Sequence, residues 1–155
     1  MATPHFDVFV SGATSSVEDW QRAKNAPKAD LPKLNEEQKE VAHKMGISEE
    51  EYARGVLVFQ YGESRQRERG QKLGERIDKI LESLGEAYRL EALIREGTKF
   101  RWVARINTPN DVKNVAIGRE LADDIVDSAT VQDLERLRVL ILEALDRKDL
   151  LGRLQ

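Results

Sequence analysis

Apolar and polar residues alternate twice between Tyr88 and Ile106, and each alternation has a period of two. This period predicts two β-strands, since successive side chains of a strand point to opposite faces. A three-residue loop, Arg95-Glu96-Gly97, would join them with Gly97 in the left-handed conformation. The predicted hairpin places Ile94 and three pairs of side chains on its covered face: Ala92 with Phe100, Leu90 with Trp102, and Tyr88 with Ala104.

Apolar residues spaced by three and four predict helices on both sides of this hairpin. Before it, Leu34 to Tyr52 has the capping residues of two consecutive helices: Asn35 begins the first, Gly46 ends it and Ser48 begins the second. The run GVLVFQYG at 55–62 is ambiguous between strand and helix, and we interpret it as helix because it keeps the spacing of the preceding turn. A further stripe runs from Leu73 to Leu84.

After the hairpin, the segment Thr108-Pro109-Asn110-Asp111 has the composition of a helix start, with threonine as the cap and proline at the first helical position. It predicts a helix whose buried stripe includes Val112, Val115 and Ala122. Thr130 with Asp133 predicts the start of a last helix. That helix is apolar nearly all round from Val139 to Leu142, so it is either central to the core or shared with a partner.

The N-terminal segment carries a short apolar run, Phe6 to Val10, that predicts a strand. It could add to the hairpin as a third strand or serve as an apolar arm for another subunit. A brief helix over Val17 to Lys24 should bury Trp20, and the proline-containing stretch 25–33 is a linker. We therefore predict an N-terminal arm over 1–33 and one α+β domain over 34–155, with an antiparallel hairpin, possibly three-stranded, covered by four or five α-helices.

Composition narrows the chemistry of the 155-residue chain. The 25 basic and 28 acidic residues give a net charge of −3, and there are no cysteines and two histidines. Disulfides, thiolate catalysis and cysteine-ligated metals are excluded. We find no phosphate-binding glycine loop, metal-ligand spacing or nucleophile with a nearby base, so no catalytic residue, metal or cofactor is predicted. An apolar run long enough to cross a bilayer is also missing, and we expect a soluble, cytoplasmic protein.

The predicted hairpin has one basic face. Residues 64–106 carry 11 basic and 7 acidic groups, and the basic face of the hairpin has Arg89, Arg95, Lys99, Arg101 and Arg105. Charged residues of this kind are also common on a sheet surface that faces only solvent. If this face has a ligand, backbone contacts to nucleic acid are the expected kind, weak and sensitive to salt.

Residues 34–53 have the spacing of a DNA-binding helix-turn-helix, but three carboxylates, Glu49 to Glu51, would open the recognition helix and repel phosphate. The same stretch, LNEEQ followed by GISEEEY, resembles the short acidic helix pairs of some phage-encoded head and protease proteins. That resemblance implies a phage or prophage setting.

Three functions are therefore open. A protein-interaction or assembly module is the leading hypothesis, with self-association through the face that contains Val139 and Leu142. Nucleic-acid binding by Arg89, Arg101, Arg105 and Lys99 is the alternative, and an enzyme without a recognisable motif is the third.

Overall fold

The computed structural model describes residues 6–11, 15–147 and 149, with the side chain of Thr98 left aside. Over these residues the chain forms five α-helices and four β-strands, which confirms the predicted α+β class. In chain order they are β1 (Asp7–Ser11), α1 (Val17–Lys24), α2 (Glu36–Met45), α3 (Glu49–Glu82), β2 (Arg89–Glu96), β3 (Arg101–Asn107), β4 (Val112–Gly118), α4 (Arg119–Asp127) and α5 (Val131–Ala144).

The chain divides into two compact units that share the long helix α3. The first unit contains the sheet and everything from residue 66 onward, together with the segment that carries β1. The second unit covers residues 13–65, so the predicted boundary between 33 and 34 falls inside it. The ambiguous run at 55–62 is helical, as predicted, and belongs to the second unit.

The first unit is built on a four-stranded sheet in the order β1-β2-β3-β4. The prediction of a third strand at the N-terminal segment is confirmed, and β1 pairs with β2 in parallel. The rest of the sheet is antiparallel. Helices α3, α4 and α5 contribute the other half of the core on one face of this sheet, through buried residues that include Leu73, Ile77, Ile125, Leu137 and Ile141.

The predicted pairing of the hairpin is wrong, although both strands are present. Leu90 pairs with Ile106, Leu93 with Ala104 and Arg95 with Trp102. The turn lies later in the chain than predicted, so Leu90 is opposite Ile106 instead of Trp102. An irregularity between Leu90 and Ala92 then adds one residue, which exchanges the two faces of the strand beyond it. Leu93 is therefore fully buried, and Arg95 is buried beside it.

The turn also differs from the predicted one. Strand β2 continues to Glu96, and Gly97–Lys99 forms a short 3-10 turn. The left-handed residue is Phe100, with φ of 51°, rather than Gly97. The Phe100 ring is half exposed instead of buried, and the Arg119 guanidinium lies 5.8 Å from its centre.

The segment that follows Thr108 is predicted as a helix, but it forms a turn and then strand β4. Thr108 Oγ1 does accept a hydrogen bond from the Asp111 amide at 3.1 Å, the bond expected of a helix cap. Here it closes a hairpin turn, because the Thr108 amide also donates to the Asp111 carbonyl at 2.8 Å. Val115 and Ile117 then alternate into the core, and the helix starts at Arg119. A threonine–aspartate pair satisfies the backbone of a turn and of a helix start equally well.

Two glycines let α3 approach the sheet closely. A Cβ on Gly70 would lie 2.7 Å from both Trp102 Cη2 and Val8 Cγ1, and one on Gly74 would overlap the Phe6 ring. Both distances are shorter than van der Waals contact, so glycine is the residue that permits this packing. The spacing of four places both positions on one face of the helix.

The second unit is held by capped helices and by one arginine. The predicted bounds of α1 are confirmed, and Ser16 and Asp19 form its capping box. The predicted burial of Trp20 is wrong: that side chain is 60% exposed, and Ala23 is the buried residue. Arg54 of α3 donates to the carbonyls of Ala23 and Ala26 at 2.8 and 2.9 Å, and so adds a side-chain donor to carbonyls at and just after the end of α1.

In the first unit, Arg69 joins α3 to α4. Its guanidinium donates to Asp123 Oδ1 at 2.8 Å and to Asp127 Oδ1 at 2.9 Å. The hydrogen bond from Arg69 holds the pKa of Asp127 below its usual value. A carboxylate whose pKa is lowered in the folded state stabilises the fold above the unfolded pKa of about 3.9, and this contribution is lost as the pH falls through the folded pKa.

We expect Asp127→Asn to lower the free energy of unfolding by about 0.5 to 1 kcal/mol at neutral pH, the upper range for an exposed pair with good geometry. Urea unfolding at pH 7 and at pH 3 should show this difference shrinking in acid. Glu143→Gln, a charge loss on an exposed residue of α5, should not change stability in this way. A difference that stays the same at both pH values would contradict the role assigned to the Asp127 carboxylate.

Candidate interaction surface

Over the residues that the structure describes, one face of the sheet carries no helix of its own unit. The core residues of α3, α4 and α5 all pack on the face that contains Leu93, Trp102 and Ile117. The strand register places the remaining side chains on the opposite side, because residues paired across strands point the same way. We call this opposite side the open face.

The open face is organised in rows that cross the strands. The central row is apolar and runs through all four strands as Phe9, Ile94, Val103 and Ala116. On one side lies the row Ser11, Glu96, Arg101 and Gly118. On the other lies the row Asp7, Ala92, Arg105 and Asn114, with Glu91 next to it at the irregularity in β2.

The central row is accessible from solvent. Phe9 is 53% exposed, Ala116 is also exposed, and Ile94 and Val103 are partly buried between their neighbours. A phenylalanine at this exposure is unusual for a sheet surface, where polar residues normally alternate with the buried ones. The row therefore combines exposed apolar area with continuity across the full width of the sheet.

Ion pairs lie on both sides of the central row. Arg101 Nε donates to Glu96 Oε2 at 3.1 Å, and Lys99 Nζ lies 3.8 Å from the same oxygen. On the other side, Arg105 Nε lies 4.0 Å from Glu91 Oε2. Of the four basic residues predicted to contact nucleic acid, Arg101 and Arg105 share the open face with Arg89, and Lys99 is in the turn. Three of them are paired with carboxylates, which reduces the positive charge offered to a polyanion.

Arg95, a member of the predicted basic face, lies on the core side. Its side chain is buried beside Trp102, with the guanidinium 5.8 Å from the ring centre. Burial lowers the pKa of Arg95, and Asp123 acts in the opposite direction. Its Nη1 donates to the Arg101 carbonyl at 3.4 Å, a long hydrogen bond.

The two residues of the last helix that were predicted to contact a partner are buried or partly buried. Leu142 is 1% exposed, and Val139 is partly buried. Neither side chain offers the exposed area that Phe9 has. Sequence reasoning missed the central row, because Ile94 was assigned to the covered face and Phe9 was not placed in any register.

Three other features concern the chemistry of the described residues. A hollow near the end of α3 is lined by three acidic residues, Asp78, Glu82 and Glu86, together with Gly85, Tyr88 and Arg89. Over the part of the chain that the structure describes, no three His, Asp or Glu side chains are arranged to hold a metal ion. In that same part, no helix is both long enough and apolar enough to cross a bilayer.

Comparison with known proteins identifies no relative. No family model matches the sequence, and neither the curated proteins nor the solved structures contain a significant match. The resemblance of residues 34–53 to phage-encoded helix pairs therefore stays a prediction.

Proposed function

We propose that the chain is a protein-interaction module that binds its partner on the open face of the sheet. The observation that carries this proposal is the uninterrupted apolar row from Phe9 to Ala116. A protein surface covers such a row with matching apolar side chains, and removing that area from water is the main favourable term in protein association. The ion pairs on either side of the row would form the polar rim of the interface.

The shape of the sheet supports a protein partner rather than a small ligand. A small molecule is usually enclosed in a concave pocket, whereas this surface is a sheet face about four strands wide. The aromatic residue, Phe9, lies on the edge strand β1 and supplies the largest exposed side chain of the row. Aromatic residues are enriched in protein interfaces relative to the rest of the protein surface.

Nucleic-acid binding through the same face is the second candidate, because Arg89, Arg101 and Arg105 all point from it. The ion pairs of Arg101 and Arg105 oppose it. One substitution separates the candidates: Phe9→Lys removes apolar area and adds a cation, so it should abolish protein docking and strengthen polyanion binding.

Site-specific photocrosslinking tests the proposed function. A photoreactive p-benzoylphenylalanine in place of Phe9, in cells of the source organism, should give a discrete adduct of defined mass. The same group in place of Met45, which is 62% exposed on α2, is the matched control and should give none. The Phe9 adduct should disappear when Val103→Lys is added. If Phe9 and Met45 positions crosslink alike, or neither does, the open face is not a docking surface.

A further inference from the structure

We infer that the partner on the open face is a second copy of this chain, packed sheet against sheet about a two-fold axis parallel to the strands. The inference rests on the proposed function and names the occupant of the same face. Its basis is the distribution of charge and side-chain size across the four strands. A two-fold interface brings one surface against itself, so that surface must be complementary to its own rotated image.

An axis that runs between β2 and β3, along the strands, places each row against the same row of the second copy. Strand β2 then faces β3 of that copy, and β1 faces β4. In the row beside the apolar one, Glu96 faces Arg101 of the second copy, and Arg101 faces its Glu96. The four side chains form a square of alternating charge, since each carboxylate lies between its own Arg101 and that of the other copy.

The remaining rows are also matched by this operation. On the far side, Arg105 faces Ala92 of the second copy, next to the Glu91 of that copy. In the central row Ile94 faces Val103, and the large Phe9 faces the small Ala116. Apolar side chains of complementary size pack without voids, as in the interior of a two-layer sheet structure.

The other in-plane two-fold axis fails on charge. An axis along the apolar row would place β3 against β3, with Arg101 of one copy facing Arg105 of the other. Like charges brought together across an interface are strongly unfavourable. Sheets that pack face to face are rotated by about 30°, and this rotation displaces the pairs nearest the centre of the interface least.

The size of the face predicts a weak dimer. Strands about 4.8 Å apart and a rise of about 3.3 Å per residue give the described face a footprint of roughly 400 Å² in each copy. Even with the added relief of the side chains, this is at the low end for specific interfaces, where association is transient. The dimer should therefore form and dissociate over micromolar concentrations.

Charge reversal with mixing tests the arrangement. Sedimentation velocity of the purified chain, from about 5 to about 500 µM, brackets the affinity of small interfaces. Wild type should pass from monomer to dimer over this range. Glu96→Arg alone should be monomeric, because two arginines of each copy then face two arginines of the other. Arg101→Glu alone should also be monomeric, because two glutamates of each copy then face two glutamates of the other. We expect each single reversal to weaken association at least about tenfold.

Mixing the two single variants should restore the dimer as a heterodimer, because every arginine then faces a glutamate. Each chain in the mixture retains the same internal repulsion that it has alone, so restoration reports contact between copies. A chain with both reversals regains its internal ion pair and should dimerise like wild type. As a control, Arg136→Glu reverses a charge that pairs with Asp124 on the helical side, and it should leave association unchanged.

Three results would each overturn the inference. Single variants that still dimerise, or a mixture that stays monomeric while the double reversal dimerises, would exclude the proposed two-fold arrangement. Wild type that is monomeric throughout would exclude the second copy as partner. In that case a crosslink at Phe9 would leave the proposed docking function standing with a different protein, whereas its absence would remove both.

Discussion

Replacing Gly70 with alanine should lower the free energy of unfolding by about 0.5 to 2 kcal/mol, the cost of overpacking less the gain from the better helix propensity of alanine. The new Cβ would lie 2.7 Å from Trp102 Cη2, and the Trp102 side chain is only 4% exposed. A buried indole packed on all sides cannot move without disturbing its neighbours, and overpacking of this kind typically costs about 1 to 3 kcal/mol. Urea unfolding followed by circular dichroism and tryptophan fluorescence measures the change.

Gly55→Ala is the matched control because it lies in the same helix, α3. A Cβ at Gly55 has no neighbour within 4 Å, so only the helix propensity changes. This substitution should stabilise the chain by about 0.5 to 1 kcal/mol. The difference between the two variants isolates the packing of α3 on the sheet. Equal stabilisation by both would show that the sheet yields easily at Trp102.

Arg95 should contribute to stability through its volume and little through its charge. We expect Arg95→Met to change the free energy of unfolding by less than about 1 kcal/mol, because methionine fills a similar space without a buried charge. Arg95→Ala should cost about 2 to 4 kcal/mol, since it leaves a cavity beside Trp102. Thermal and urea unfolding of the two variants provide the comparison.

The contacts of Arg95 explain this expectation. Its hydrogen bond to the Arg101 carbonyl is long, at 3.4 Å, so removing the guanidinium loses little. Asp123 keeps its partners without Arg95, because Arg69 donates to it at 2.8 Å and Arg119 lies 3.6 Å away. No carboxylate is left unpaired. If Arg95→Met were as destabilising as Arg95→Ala, the charge itself would be the stabilising element.

Helix boundaries in this chain were predictable where the signals are local. The caps of α1, α2 and α3 each join residues three apart, such as Ser16 with Asp19 and Asn35 with Gln38, so a short stretch of sequence contains both partners. The two alternating strands around Trp102 were predictable for the same reason. Periodicity is a property of neighbouring residues.

The open face was only partly predictable. Arg101 and Arg105 were assigned to it correctly by alternation along β3, whereas Arg95 and Ile94 were assigned to the wrong sides of β2. One extra residue near Glu91 inverts the faces of the strand after it, and no pattern within β2 marks its position. The row from Phe9 to Ala116 depends on four strands in register, and these come from segments far apart in the chain.

The sequence by itself determined the α+β class, the capped helices and the presence of the β2–β3 hairpin, because each follows from residues that are close together in the chain. Tertiary structure decided that residues 112–118 form a strand rather than a helix. The Thr108–Asp111 bonds suit either one, and pairing with β3 selected the strand. It also decided which side chains face solvent, since register is set by contacts between strands and by the close approach of α3 at Gly70.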